Sequence, residues 1–373
     1  MTASLTITPL SSWLPSAHHP LVIAGPCSAE TEEQVLVTAQ AIAAIPQVKV
    51  FRAGIWKPRT RPGAFEGVGT KGLVWLQKIR ENTGLQVAVE VANPRHVNEA
   101  IDHGVDILWI GARTVVNPFS VQEIGEAMGS RDIPVMVKNP LNPDLKTWMG
   151  AIERLNRMGL TKLIAVHRGF SFFNRSEYRN APMWEIPIEL KRTYPNLPVV
   201  VDPSHICGKR ELIPATMQKA LDLEMDGLMI ETHHNPSKAL TDKNQQLTPT
   251  QLADSLSRLI LRRESGNQEF SNKLEELRSE IDKLDEELID ILGRRMKVVE
   301  EIGVYKKVNK ITILQLKRWN HLTHDRIEAG VKMGLSREFI LRLLESVHEE
   351  GIQRQIDVMN RDDQDEPTST SLV

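Results

Sequence analysis

Apolar residues in the first two-thirds of the chain fall into short runs separated by stretches of helical spacing. The runs are Leu21 to Cys27, Val48 to Gly54, Leu85 to Ala92, Asp106 to Ala112, Pro134 to Asn139, Leu163 to Gly169, Pro198 to Ser204 and Gly227 to His233. Runs this short and this apolar read as strands buried on both faces, and the 3.6-residue spacing between them reads as helix. Strand then helix, eight times over, predicts an α/β fold of the (β/α)8 TIM-barrel type. Near residue 265 the texture changes. From about Ser271 to Asp357 proline is absent, and Leu274, Leu277, Ile281, Leu284, Leu288 and Ile291 step by three and four, as the apolar seam of a long helix does. Breaks at Asn309-Lys310 and Lys332-Met333-Gly334 divide this region into three helices. The expected organisation is a barrel over 1–264, which ends in a helix capped by Thr248, and a linker over 265–270. A smaller all-α three-helix domain over 271–358 and a polar, disordered tail over 359–373 follow. Three helices with one long arm enclose little core, so pairing with a second copy is expected.

A length of 373 residues suits a barrel plus one smaller unit. The formal charge of -2 and the lack of a dense Lys/Arg tract argue against nucleic acid or an anionic membrane as partner. No apolar run reaches the roughly 18 residues that span a bilayer. The opening MTASLTITPLSSWLPS lacks a basic segment followed by an apolar one, so a soluble cytoplasmic protein is the expectation. Cys27 and Cys207 are the only cysteines, too few for a disulfide framework; metal binding, redox chemistry and plain burial stay open for them.

Barrel enzymes work at the C-terminal ends of their strands. Here those ends carry Cys27, Arg52, Arg113, Lys138, Arg168, His205 and Glu231. After the second strand, Lys57-Pro58-Arg59-Thr60 adds two cations and a hydroxyl on a stiffened loop, and Arg59 is suited to a bidentate grip on phosphate. Any one of Arg113, Lys138 and Arg168 fits a rim salt bridge, but three on neighbouring strands favour a small ligand carrying phosphate and carboxylate. Cys27, His205, Glu231 and Asp242 make a mixed soft and hard donor set, suited to one divalent Mn, Fe, Co or Zn ion. Burial of the thiol and a turn role for Asp242 are the plain alternatives, and spacing leaves both open. Cys207, His233 and His234 are read as structural.

Six motifs, Gly25-Pro26-Cys27-Ser28, Lys57-Pro58-Arg59-Thr60, Ile110-Gly111-Ala112-Arg113, Arg168-Gly169, Asp202-Pro203-Ser204-His205 and Glu231 to Asp242, lie in register from about residue 18 to 262. Together they resemble 3-deoxy-D-arabino-heptulosonate 7-phosphate (DAHP) synthase in its short class I form, without the extra N-terminal regulatory domain of some relatives. The resemblance implies condensation of phosphoenolpyruvate with erythrose 4-phosphate, releasing phosphate, as the first step toward chorismate. It places phosphoenolpyruvate among Arg52, Lys57, Arg113, Lys138 and Arg168, and the sugar phosphate on Arg59 and Thr60. It also makes Lys57, Cys27 and His205 catalytic, with a metal on Cys27, His205, Glu231 and Asp242 polarising the aldehyde. The sister octulosonate-forming enzyme carries a Lys-Ala-Asn-Arg type of loop, so Lys57-Pro58-Arg59-Thr60 favours the four-carbon sugar. Many relatives have Glu before the strand-six Arg-Gly; His167 stands there in this chain, which puts water activation in question.

In the tail, Arg295 and Lys306 are eleven residues apart and share a helix face, whereas Arg278 lies about 25 Å further along the axis and about 100° round it. Arg278 therefore joins the other two at one ligand only if it comes from a second chain. On spacing alone a charged solvent face is the simpler account. The segment LRSEIDKLDEELIDILGRRMKVVEEIGVYKK, within a similarity spanning about 270 to 356, resembles the first helix of the all-helical chorismate mutases. That likeness implies rearrangement of chorismate to prephenate in a homodimer or higher oligomer joined through the helical domain. Arg278 from the partner chain and Arg295 would hold carboxylates, catalytic Lys306 and Gln355 would face the ether oxygen, and Arg318 would line the pocket. Trp319 stands where the family commonly has Glu, and Gly351 where Ser is usual. A non-catalytic dimerisation and ligand-sensing module is therefore the alternative reading. The fusion also leads to the expectation that chorismate or prephenate bound at the tail lowers barrel activity.

Overall fold

The computed structural model describes residues 4–14, 19–58, 63–173, 176–262, 268–314 and 316–361, with 268–269 and 316–323 described by backbone alone. The chain divides into two compact units, Met1–Arg262 and Arg263–Val373. In the first, β1 (Leu21–Gly25), β2 (Val48–Arg52), β3 (Gln86–Val91), β4 (Ile107–Ile110), β5 (Val135–Lys138), β6 (Leu163–His167), β7 (Val199–Val201) and β8 (Gly227–Glu231) run parallel. They pair in sequence order, and β8 closes on β1, so the unit is a (β/α)8 barrel.

Strand alternation sorts the apolar residues into two cores. Ile23, Val50, Ala88, Trp109, Met136, Val166, Val200 and Met229 belong to the cluster that fills the lumen. Their outward neighbours, among them Val22, Phe51, Val89, Leu108, Val137 and Ala165, pack against the surrounding helices. Side chains short of the strands start several of those helices. Thr31, Asn93, Asn117 and Asp144 each accept a backbone N–H of the first turn, and Thr248 forms a capping box with Gln251. A short helix, Leu10–Trp13, was not legible in the sequence. Leu10, Trp13 and Leu14 pack onto the lumen cluster, and Thr8 N–H donates to Thr161 just before β6, so the N-terminal segment plugs the end of the barrel where the strands begin.

Carrying the two-residue period one step past the lumen cluster gives Gly25, Arg52, Glu90, Gly111, Lys138, Arg168, Asp202 and Glu231. These positions form the topmost inward layer, and all but the glycines of β1 and β4 are ionisable. Gly25 is forced: at its φ of +149° a Cβ would sit 2.1 Å from the Arg52 carbonyl oxygen.

The second unit is three helices, Gln268–Val308, Leu316–Lys332 and Arg337–Asn360. The first begins inside the segment read as linker, because nothing in Gln268-Glu269-Phe270 breaks a helix. Ile327, Ile340 and Val358 are buried, but Leu277, Ile281, Leu284, Leu288 and Ile291 are 46–57% exposed. The tail from 362 lies outside the described residues. Among the described residues no helix is long and apolar enough to cross a membrane.

Trp148 is fully buried between sheet and helices, and its Nε1 donates to the Val137 carbonyl at 3.1 Å. Trp148→Ala should destabilise the barrel by about 3–5 kcal/mol, read as a shift of its urea unfolding midpoint.

Candidate active site

Two local devices bring donor atoms to the mouth. Gly25-Pro26 turns the chain out of β1 and presents Cys27, while Asp202 at the end of β7 caps the short helix Pro203–Cys207 and so fixes His205. β8 ends on Glu231, and the loop beyond it returns Asp242. The structure brings all four together. Donor atoms of Cys27, Glu231 and Asp242 lie within 4.8 Å of one another. His205 Nε2 is 3.7 Å from Glu231 Oε1 and 4.0 Å from Asp242 Oδ2, and Cys27 Sγ is 3.5 Å from Asp242 Oδ2. The opposite ring nitrogen of His205, Nδ1, lies 2.8 Å from Asp202 Oδ2, a contact that turns Nε2 toward the cluster.

The electrostatics of this cluster suit a cation. Burial, reinforced by the Glu231 and Asp242 carboxylates and only partly offset by Lys57 and Arg52, pushes the Cys27 thiol up to about 12. Burial also opposes ionisation of Asp242, yet His205 and Arg179 hold its carboxyl below the usual range. Glu231 Oε1 is buried with no hydrogen-bond partner among the described residues. Thiol, imidazole and two carboxylates around one such point are a donor set that fits a divalent transition metal.

Four of the predicted cations, Arg52, Lys57, Lys138 and Arg168, connect to this cluster or to residues that hold it. Arg52 Nη2 donates to the Cys27 carbonyl at 3.1 Å and Nη1 stands 3.5 Å from Glu231 Oε1, while Nε and Nη1 make no hydrogen bond. Lys57 Nζ lies 3.2 Å from Cys27 Sγ. Lys138 Nζ donates to Asp202 Oδ2 at 2.7 Å; burial works against that carboxyl's charge, but His205 and Lys138 hold it well below the carboxylate range. Arg168 is buried, which lowers it to about 10 against the pull of Asp202, and the exposed Arg113 is close enough to add to that lowering. Arg59 and Thr60 lie outside the described residues.

Several residues of this site carry no sequence signal of their own. Asn180 accepts from Arg168 Nη1 at 2.9 Å and donates to the His205 carbonyl at 2.6 Å, so it links a cation to a donor of the cluster. Gln245 donates to Glu231 Oε2 at 2.7 Å and accepts from Arg179 at 2.6 Å, and Arg179 in turn donates to Asp242 at 3.0 Å. Gln246 accepts the Cys27 N–H at 3.0 Å. Glu90 folds over Gly111, where a Cβ would come within 2.0 Å of its Oε1; the alternation of β3 was the available signal. His167 points outward from the mouth, among the rings of Trp148, Phe170 and Trp184, and burial drops it to about 3. His233 and His234 stack on each other, and Cys207 meets the Thr216 hydroxyl at 3.1 Å.

In the helical unit, Lys306 Nζ donates to Gln355 Oε1 at 3.0 Å and to the Ile313 carbonyl at 2.5 Å. Arg295 Nη1 reaches the Val347 carbonyl at 3.4 Å and lies 3.7 Å from where a Gly351 Cβ would be. Burial, then Arg295 and Lys306, lower the pKa of His348, so both cations face it. Arg278 is on the same unbroken helix, exposed and remote from that group. The side chains of Arg318 and Trp319 fall outside the description.

The DAHP synthetase I family model matches residues 16–262, and the chorismate mutase type II model matches residues 277–356. A phospho-2-dehydro-3-deoxyheptonate aldolase of Thermotoga maritima is 33% identical over 226 residues, 61% of this chain and 64% of that protein, so the chain spans just under two thirds of that relative. A 2-dehydro-3-deoxyphosphooctonate aldolase of Desulfotalea psychrophila is 28% identical over 257 residues, 64% of this chain and 88% of that protein. The crystal structure of the Thermotoga maritima phospho-2-dehydro-3-deoxyheptonate aldolase (DAHP synthase) aligns with a TM-score of 0.59 and 27% identity, over 69% of this chain and 75% of that one.

Because Asp202 holds both Lys138 and His205, Asp202→Asn should loosen the donor cluster. Chelator competition should show divalent-metal affinity falling about 10–100-fold, and unchanged affinity would refute the role given to Asp202.

Proposed function

Because the chain belongs to the DAHP synthetase I family, we propose that its barrel condenses phosphoenolpyruvate with erythrose 4-phosphate, giving DAHP and phosphate. The observation that carries this reading is the juxtaposition of the Cys27, His205, Glu231 and Asp242 cluster with Arg52, Lys57, Lys138 and Arg168 at one mouth. Arg52, with two guanidinium nitrogens free of hydrogen bonds, and Lys138, Arg168, Arg113 and Lys57 are the binding groups for the phosphate and carboxylate of phosphoenolpyruvate. Held between them, the enol carbon is presented to the aldehyde, and the gain is positional. A divalent ion on Cys27, His205, Glu231 and Asp242 supplies Lewis acidity toward the aldehyde carbonyl when bound. Mn, Fe, Co and Zn all suit that donor set. Arg59 and Thr60 are assigned to the sugar phosphate on their motif. Water then adds at the former enol C2, and phosphate leaves. With His167 turned into the helix layer, the acid facing the mouth from β3 is Glu90.

For the helical unit we propose chorismate mutase activity in a homodimer. The exposed seam from Leu277 to Ile291 is the surface a second copy covers, and the partner subunit's Arg278 completes the group of Arg295, Lys306 and Gln355; Arg318 is assigned to the same pocket on its motif alone. Trp319 supports a second reading, a ligand-sensing dimerisation module, because an indole can accept no hydrogen bond from a substrate hydroxyl. In either reading, prephenate or chorismate bound here lowers the synthase rate.

Wild-type protein should consume phosphoenolpyruvate with erythrose 4-phosphate and not with arabinose 5-phosphate; the reverse preference assigns the octulosonate reaction instead. Cys27→Ala and chelation should each abolish turnover, with bound metal lost in parallel by elemental analysis. Chorismate loss should be measurable in wild type and fall at least about 100-fold in Lys306→Ala, as for removal of a single oxyanion donor; background rates in both would leave the sensing module. Leu284→Glu should convert the dimer to monomer by light scattering and remove mutase activity with it.

A further inference from the structure

Trp109 is the last lumen-filling side chain of β4 and is 1% exposed. No side chain rises above it from its own strand, because the next inward position is Gly111, over which the Glu90 carboxylate folds. Two cations from other strands lie over the indole instead. The Arg52 guanidinium carbon is 4.9 Å from the ring centroid and Lys138 Nζ is 6.0 Å from it. Both are buried, Arg52 at 1% and Lys138 at 5% exposure, where attraction between a cation and a ring face is least screened. Their carboxylate partners stand across the lumen: Glu231 ends β8, diametrically opposite β4, and Asp202 follows β7.

Each cation is therefore held from two sides, by a carboxylate at the β7–β8 wall and by an aromatic face at β4. A Trp109 replacement without a π face removes the β4 side: Lys138 keeps Asp202, and Arg52 keeps the Cys27 carbonyl and Glu231, 3.5 Å away, on which it is free to close. The geometry points to Trp109 as a positioning residue of the anion site, one that keeps Arg52 and Lys138 out over the mouth at a fixed separation. This rests on the reading that these two cations receive phosphoenolpyruvate.

Calorimetric titration of phosphoenolpyruvate into the Co2+-loaded full-length protein tests it, using wild type, Trp109→Phe and Trp109→Met, with steady-state kinetics alongside. Trp109→Met, which keeps an apolar filling without a ring face, should weaken phosphoenolpyruvate binding about tenfold, while Trp109→Phe stays within about threefold of wild type. KM for phosphoenolpyruvate should rise with that for erythrose 4-phosphate unmoved, and Co2+ affinity should be equal in all three proteins. Equal phosphoenolpyruvate affinity in Trp109→Met and wild type overturns the inference and leaves the proposed reaction standing. Equal weakening in both variants, or loss of Co2+ affinity with it, overturns the inference in favour of simple packing. Failure of the Co2+-loaded wild type to bind phosphoenolpyruvate removes the proposed reaction itself, and the inference with it.

Discussion

Six of the eight inward positions that crown the lumen are ionisable: Arg52, Lys138 and Arg168 against Glu90, Asp202 and Glu231. Five of the six side chains are buried, and an unpaired ion in such a place costs several kcal/mol. Pairing therefore dictates the local structure. Asp202 takes Lys138 and the His205 ring, Glu231 takes Gln245 and faces Arg52, and Arg168 is held by Asn180. Among the described residues hydrogen bonding is incomplete at two adjacent places, Nε and Nη1 of Arg52 and Oε1 of Glu231, which face each other only as a 3.5 Å ion pair. The first has donors to spare for an anion, and the second has an acceptor to spare for a cation. In the proposed reaction both kinds of ligand would be drawn to one mouth by the same shortage of hydrogen-bond partners, without any surplus of net charge.

The two units meet the demand for apolar burial differently. The barrel closes on itself, with one core inside the sheet and another between sheet and helices, and the N-terminal plug covers the open end of the inner one. The helical unit buries few side chains and leaves its seam in water. Fully burying a large aliphatic side chain is worth about 1.5–3 kcal/mol, so about half of that for each half-exposed seam residue, an upper figure, and covering the whole seam outweighs many local interactions. In the proposed homodimer the stability of this unit would be linked to chain concentration.

Much of the barrel was legible because its signal is local. A buried strand announces itself as a short apolar run, and its last inward position is two residues past an inward apolar one. Arg52, Lys138, Arg168 and Glu231 follow from that rule. Glu90 and Asp202 obey the same rule, yet they were passed over as site residues because they end no cation cluster and match no ligand pattern. Asn180, Gln245, Gln246 and Arg179 are a different case. Each is an ordinary polar residue in a loop, and each acquires its role only when strands remote in sequence bring its partner within reach. The plug at Leu10–Trp13 stayed hidden for a similar reason, since four residues are too few to show a helical period. In the tail the seam and its breaks were plain, but the start of the helix at Gln268 was obscured by the polar residues flanking it.

The loop carrying Asp242 shows how such unannounced residues shape the site. Asp242 has a φ of +46°, a left-handed backbone that a non-glycine residue adopts at some cost. The loop holds it there by fixing the residues on both sides. Thr241 meets the Ser28 hydroxyl and its carbonyl accepts from Gln246, and Gln245 N–H donates to the Asp242 carbonyl at 3.1 Å. Gln245 and Gln246 then reach Glu231 and the Cys27 N–H, while Arg179 ties the Asp242 carboxylate to Gln245. One turn of chain thus touches three of the four donor residues, so a shift of its backbone displaces them together. The local strain at Asp242 is tolerable because the hydrogen bonds that impose it are the same ones that assemble the site.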